Sequence, residues 1–467
     1  MTSSRRNALN KAQKKKPSSI STPHLQKEQP PCIGNGMKVL SHKDTAYQKF
    51  VRSLDRRATP GGAGKKVEAI VSSIIEDVQK RGNTAVFEYT QRFDGLKLNA
   101  KSLFVSEKEI KEAYSLVDDE VKKAVATSRK NIHAFAKRSM RKDWKAKNPQ
   151  GVEVGERFTP YDRVGVYVPG GKAPLVSSAL MTAAFGQAAG VPEILAATPA
   201  GPDGKINPAL LYALVESGAT EIIKVGGAQA IAAMALGTKS VRPVEKIFGP
   251  GNSFVVEAKR QLVGAVSIDL LPGPSEILIV ADQTANAQFI AADMLAQAEH
   301  GGDSIIGFAT NSKRLLGQVQ KAIEKQTPTL NREKYLREVL KKGTFCLLTK
   351  SMDEAIEICN AFAPEHLSLV VKDEEKWLDQ IKTAGAIYVG ELSAVAVGDF
   401  VAGPSHTLPT GGSGKSFSGL RADQFQRRAS IVRMDQKALR KSLPTVETFA
   451  KAEGLDAHGR SVSIRVE

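Results

Sequence analysis

A chain of 467 residues that is 42% hydrophobic, 25% charged and 6% aromatic can bury two or more cores, and its composition excludes the disordered and fibrous classes. No stretch offers the roughly 18 uncharged apolar residues of a membrane span, since the Ala-rich run from Leu180 to Ala200 is broken by Gly186, Gln187, Gly190, Pro192 and Glu193. The net charge of +17 suggests nucleic acid, but Arg5, Arg6, Lys11, Lys14, Lys15, Lys16 and Lys27 all precede the first acid, Glu28, and the remaining charge of about +10 is thinly spread.

Residues 1–36 mix Lys, Ser, Pro and Gly with little apolar periodicity. They read as an extension that does not pack, either a solvated disordered tail or a transit peptide. Neither nucleic acid nor membrane is expected as a partner. Cys32, Cys346 and Cys359 are too far apart in the chain for a Cys-rich zinc site, and three cysteines in so long a chain indicate a soluble protein of a reducing compartment. That compartment is the cytoplasm, or a plastid if the extension is a targeting segment.

Val67, Ile70, Val71, Ile74, Ile75 and Val78 follow the three-and-four spacing of an amphipathic helix that ends at Gly82. A mainly helical, charged stretch is expected to continue to about Lys147. From Arg163 the texture changes to short β-branched runs, Gly-containing turns and Ala-rich helices: VGVYV (164–168), EILAAT (193–198), EIIKV (221–225) and KIF (246–248). A second series comprises EILIVAD (276–282), SIIGFAT (304–310), TFCLLT (344–349), HLSLVV (366–371) and AIYVG (386–390). Such alternation predicts an α/β fold with two doubly wound parallel units in tandem, and a charged helical element after about Phe417.

Several groups in the second half suit metal or acid-base chemistry. Gln297 and His300 lie three apart near the end of a helix and so share a face. Asp399 and His406 bracket a Gly-Pro turn, and His458 follows Glu453 and Asp456. Zinc accepts imidazole and carboxylate ligands, although by spacing alone each reads more often as a hydrogen-bonded histidine at a helix end. Glu365 and His366 are adjacent before a strand, where a buried carboxylate and an imidazole serve acid-base work; the bland alternative is a surface pair at a turn. The chain lacks GxGxxG and GxxxxGK[ST], so neither the usual dinucleotide fingerprint nor ATP use is indicated. The turns VYVPGG, VGGAQA and FGPGN instead place backbone N–H groups and helix N-termini where a phosphate can sit.

The segments RVGVYVPGG, VGGAQAIAAMALGT, KIFGPGN, VEAKRQL, GPSEILIVAD, LAQAEHG, PEHLSL, GDFVAGPSHTLPTGG and GLDAHGRSV, in this order, resemble the histidinol dehydrogenase family from about residue 40 to the C-terminus. The resemblance implies two incomplete Rossmann-like domains with smaller helical N- and C-terminal elements. The arm would span 37–62, the first domain 63–162 plus 275–416, the second, NAD-contacting domain 163–274, and the C-terminal helical element 417–467. It also implies a homodimer with shared active sites that binds Zn2+ and NAD and oxidises L-histidinol through the aldehyde to L-histidine. On matching positions the metal ligands would be Gln297, His300, Asp399 and, from the other subunit, His458. Glu365 and His366 would be the catalytic acid-base pair. Ser275, Gln297, His300, His366, Asp399, Glu453 and His458 would touch substrate, and Tyr167, Gln229 and Asn252 would touch NAD. Ser405 and Phe400 stand where the family more often has Asn and Tyr. Two rival readings are a zinc hydrolase without nicotinamide and a nucleic-acid binder led by the basic extension.

Overall fold

The computed structural model describes residues 37–56, 64–170 and 175–467. The basic extension, the end of the arm at 57–62 and Gly171 of the first Gly-rich turn lie outside these residues. In chain order the strands are β1 (Lys38–Ser41), β2 (Trp144–Lys147), β3 (Glu153–Pro160), β4 (Arg163–Tyr167), β5 (Glu193–Ala197), β6 (Glu221–Ile223), β7 (Lys246–Phe248) and β8 (Ser267–Ile268). They continue with β9 (Glu276–Ala281), β10 (Ile305–Thr310), β11 (Thr344–Leu348), β12 (His366–Val370), β13 (Ala386–Val389) and β14 (Gln426–Arg433).

The two series of apolar runs form two separate parallel sheets. One has the order β6-β5-β4-β7-β8 and the other β1-β11-β10-β9-β12-β13. In each, the chain winds outward from a central strand, β4 or β9, and then returns to build the other side. A crevice therefore opens where the winding reverses. Alternate residues of β9 show why its sequence is apolar after Glu276. Ile277 and Ile279 pack with helices Ala287–Ala298 and Lys313–Gln326 on one face, while Leu278 and Val280 pack with helix Met352–Phe362 on the other. A strand buried on both faces needs apolar residues at every position rather than at every second one.

The structure corrects three expectations. The helical segment that opens 63–162, expected with the first domain, packs against the five-stranded sheet: Val67, Val71, Ile74, Val86 and Ile132 share a core with Val164, Ile223 and Ile231. The apolar face of helix Gly64–Arg81 is satisfied by helices Gly227–Leu236 and Ser253–Leu262, which lie on that sheet. The stretch that ends near Lys147 and the element after Phe417 are not purely helical, because β14, β3 and β2 form an antiparallel sheet with Gln426 opposite Pro160 and Arg433 opposite Glu153. Backbone pairing over eight residues holds β14 in place although most of its side chains are exposed, so no apolar alternation announced it. The arm, expected to be helical, begins with β1, which extends the six-stranded sheet by pairing with β11.

Candidate active site

The chemistry-bearing residues gather at the amino edge of the six-stranded sheet, around the mouths of its neighbouring strands β9 and β12. Helix Met352–Phe362 ends at Ala363, whose φ of 49° makes it the sole non-glycine residue with positive φ among those described. This backbone costs an L-residue roughly 1–2 kcal/mol. With Pro364 it turns the chain sharply, so that Glu365 and His366 enter β12 facing one cleft. Strain of this kind is typical of functional sites.

Both side chains are buried. Glu365 Oε2 accepts hydrogen bonds from the Ser275 hydroxyl and the Glu276 N–H, each at 2.7 Å. His366 Nδ1 lies 2.9 Å from the Glu276 carbonyl and 3.5 Å from Glu365 Oε2. Because a carbonyl can only accept, Nδ1 is the protonated nitrogen in the neutral ring, and Nε2 keeps its lone pair. Nε2 is buried, has no hydrogen-bond partner and lies 3.7 Å from Asp399 Oδ1. Burial raises the Glu365 carboxyl to about 7, against the pull of His366 and the two hydrogen bonds. Burial alone would lower the His366 imidazole, but Glu365 and Asp399 on its two sides outweigh this and raise it to about 9.

Gln297, on the last turn of its helix, donates from Nε2 to Ser275 Oγ at 2.8 Å, which leaves the amide oxygen as a ligand atom. His300 follows at the cleft rim, its Nε2 4.0 Å from Asp399 Oδ2. That separation is too long for a hydrogen bond. Among the described residues no three His, Cys, Asp or Glu side chains form a metal group by themselves. The chain thus offers an amide oxygen, an imidazole and a carboxylate, a donor set that suits zinc but lacks a fourth protein ligand.

Asp399 is tied to the other sheet through His406. The His406 ring donates from Nδ1 to the Asp399 carbonyl at 3.1 Å and sets Nε2 3.4 Å from Ser178 Oγ. Ser178 lies in the first turn of helix Val176–Ala189, which follows β4. The amino edge of one sheet therefore meets the carboxyl edge of the other. At that carboxyl edge lie Tyr167, whose hydroxyl accepts from the Gly227 N–H at 3.1 Å, and Gln229, 1% exposed with neither amide atom partnered among the described residues. Asn252 is there too and caps helix Ser253–Leu262 by accepting from the N–H groups of Phe254 and Val255. A buried, fully unsatisfied amide is costly and marks a place where a ligand completes the bonding.

A family model for histidinol dehydrogenase matches residues 58–466. The chain belongs to the histidinol dehydrogenase family. It is 43% identical over 401 residues to the histidinol dehydrogenase of Heliobacterium mobile, covering 86% of this chain and 94% of that one. To the Geobacillus kaustophilus protein of the same name it is 41% identical, with coverages of 88% and 96%. The crystal structure of histidinol dehydrogenase from Elizabethkingia anophelis superposes with a TM-score of 0.87 at 34% identity, covering 92% of this chain and 98% of that one.

Of the positions the family resemblance singled out, Ser275, Gln297, His300, Glu365, His366 and Asp399 are thus drawn together within one chain. Glu453 and His458 are exposed on the terminal helices Gln436–Glu453 and Asp456–Ser463. No hydrogen bond or ion pair among the described residues joins them to the group. Sequence reasoning missed Arg56, which grips the buried Glu276 carboxylate with two bonds of 2.6 and 2.9 Å and also donates to the Phe362 carbonyl. It thereby neutralises a second acid directly beside Glu365. Arg56 and Glu276 are 220 positions apart, and no local pattern connects them.

Proposed function

We propose that this chain is a zinc-dependent enzyme that uses two NAD molecules to oxidise L-histidinol through L-histidinaldehyde to L-histidine, as a homodimer with shared sites. The observation that carries this reading is the Glu365–His366 pair, with one imidazole nitrogen fixed by a carbonyl and the other buried and free. His366 Nε2 is the base that takes the alcohol proton during the first oxidation, and Glu365 draws a proton from water in the second. Two oxidations at one site need a base for the hydroxyl and a base for the water, and the Glu365 carboxyl, raised to about 7, suits the second task.

Gln297 Oε1, His300 and Asp399 would hold the metal, with His458 of the partner subunit as fourth ligand. When bound, zinc would anchor the substrate's nitrogen atoms and offset much of the Asp399 field at His366, and each of the two NAD molecules in turn would accept one hydride. Ser275 and Glu453 would complete the substrate contacts. Tyr167, Gln229 and Asn252 would hold the dinucleotide, which the unsatisfied Gln229 amide supports. The homodimer reading is supported by exposed apolar side chains on the C-terminal element, Val432, Phe449, Leu455 and Ile464, because a solvated apolar face of this kind is suited to association. Chromatography of the products formed from L-histidinol and NAD tests the reading: L-histidine is expected, and its absence would return the site to hydrolytic chemistry.

A further inference from the structure

Asp94 is the last residue of helix Asn83–Asp94, before Gly95 in the left-handed conformation at φ 73°. A carboxylate at this end faces the negative pole of the helix dipole, so it does not serve as a favourable cap. It is half-buried, its Oδ2 is buried without a hydrogen-bond partner, and burial raises its pKa against the single opposing pull of the Gly226 N–H. Among the described residues no basic side chain offsets it. An uncompensated acid in this position destabilises the fold unless something else binds it.

Its surroundings indicate what that is. The Gly226 N–H faces the carboxylate, the Gly227 N–H donates to Tyr167, and a Cβ on Gly227 would stand 2.8 Å from Gln229 Oε1. Asp94 therefore lies at the same carboxyl edge as the unpartnered Gln229 amide, a second and independent sign of a missing ligand. Its neighbour Gly226 comes just after the edge strand β6. His406 and Asp399, by contrast, meet this sheet at Ser178, on the helix that follows β4. The reacting end of a dinucleotide belongs with the latter, and its far end with Asp94.

We propose that Asp94 accepts hydrogen bonds from the 2′- and 3′-hydroxyls of the adenosine ribose and makes the protein select dinucleotides that lack a 2′-phosphate. This rests on the NAD reading above. A vicinal diol supplies two donors to an acid that has only one, whereas a phosphate on that oxygen would bring a second negative charge against a partly desolvated first.

The test is equilibrium titration of the full-length protein with NADH and with NADPH, followed by nicotinamide fluorescence, beside melting temperatures. Wild-type protein is expected to prefer NADH, and Asp94→Asn to lower the ratio of the two affinities by about tenfold or more while keeping an acceptor for Gly226. Asp94→Ala should lower it likewise. If Asp94 were only structural, melting would shift and the ratio would hold, which would overturn the proposal. An unchanged ratio in folded Asp94→Asn would do the same. Wild-type protein that binds neither dinucleotide would overturn the NAD reading and this proposal together, whereas binding with unchanged selectivity would overturn this proposal alone.

Discussion

Glu365 and His366 are neighbours in the chain, yet their side chains share one cleft, with Oε2 of the acid 3.5 Å from Nδ1 of the imidazole. Successive residues of a strand point to opposite sides, so this convergence depends on the turn at Ala363 and Pro364, and on the Glu276 backbone, which donates its N–H to one side chain and accepts from the other through its carbonyl.

If Glu365 is the base for water, Glu365→Gln slows oxidation of added L-histidinaldehyde by about 10²–10⁴-fold and the alcohol step much less. Stopped-flow traces of the two substrates separate the steps. Equal slowing of both would remove Glu365 from the water-activating role.

The same assignment sets a pH dependence. Burial raises the Glu365 carboxyl to about 7, and a carboxylic acid becomes a base only on losing its proton. The aldehyde step should therefore rise with pH up to about 7 and level off above it, falling about tenfold per unit on the acid side. Its pH–rate profile in wild type and in Glu365→Asp locates this limb, which should move with the substitution.

A buried ion pair braces the dinucleotide edge. Lys259 and Asp269 pair with both side chains fully buried; Asp269 accepts from the Gly249 N–H at 2.7 Å and Lys259 donates to the Gly249 carbonyl at 3.0 Å. Gly249 has φ 111°, which favours glycine. Removing one partner, as in Lys259→Met, should cost about 3–5 kcal/mol in denaturant unfolding. It should also raise the KM for NAD more than that for L-histidinol, because the loop that leads to Asn252 loses its anchor.

The shared site has its own test. His300→Ala and His458→Ala homodimers should each lose zinc and activity, and heterodimers formed by mixing the two should regain part of both, since one of their two sites would carry neither substitution. No recovery would mean that each site is built within a single chain.

The sheets were legible because β9 and its neighbours are mostly apolar runs bounded by glycine turns, as burial on both faces requires. The pairing of Glu365 with His366 was legible because adjacency is visible in a sequence. The antiparallel sheet was not, since β14 (QRRASIVR) is held by backbone bonds and carries no apolar pattern. Arg56–Glu276, Ser178–His406 and the half-buried acid Asp94 beside Gly226 could not be read either, because the partners in each are far apart in the chain and meet only in the folded protein.

The two-step, zinc-dependent oxidation is tested most directly by counting NADH formed per L-histidinol by the purified protein, before and after chelation and with zinc restored. Two NADH per histidinol are expected, lost on chelation and recovered with zinc. A folded, zinc-loaded protein that forms no NADH would contradict that reaction.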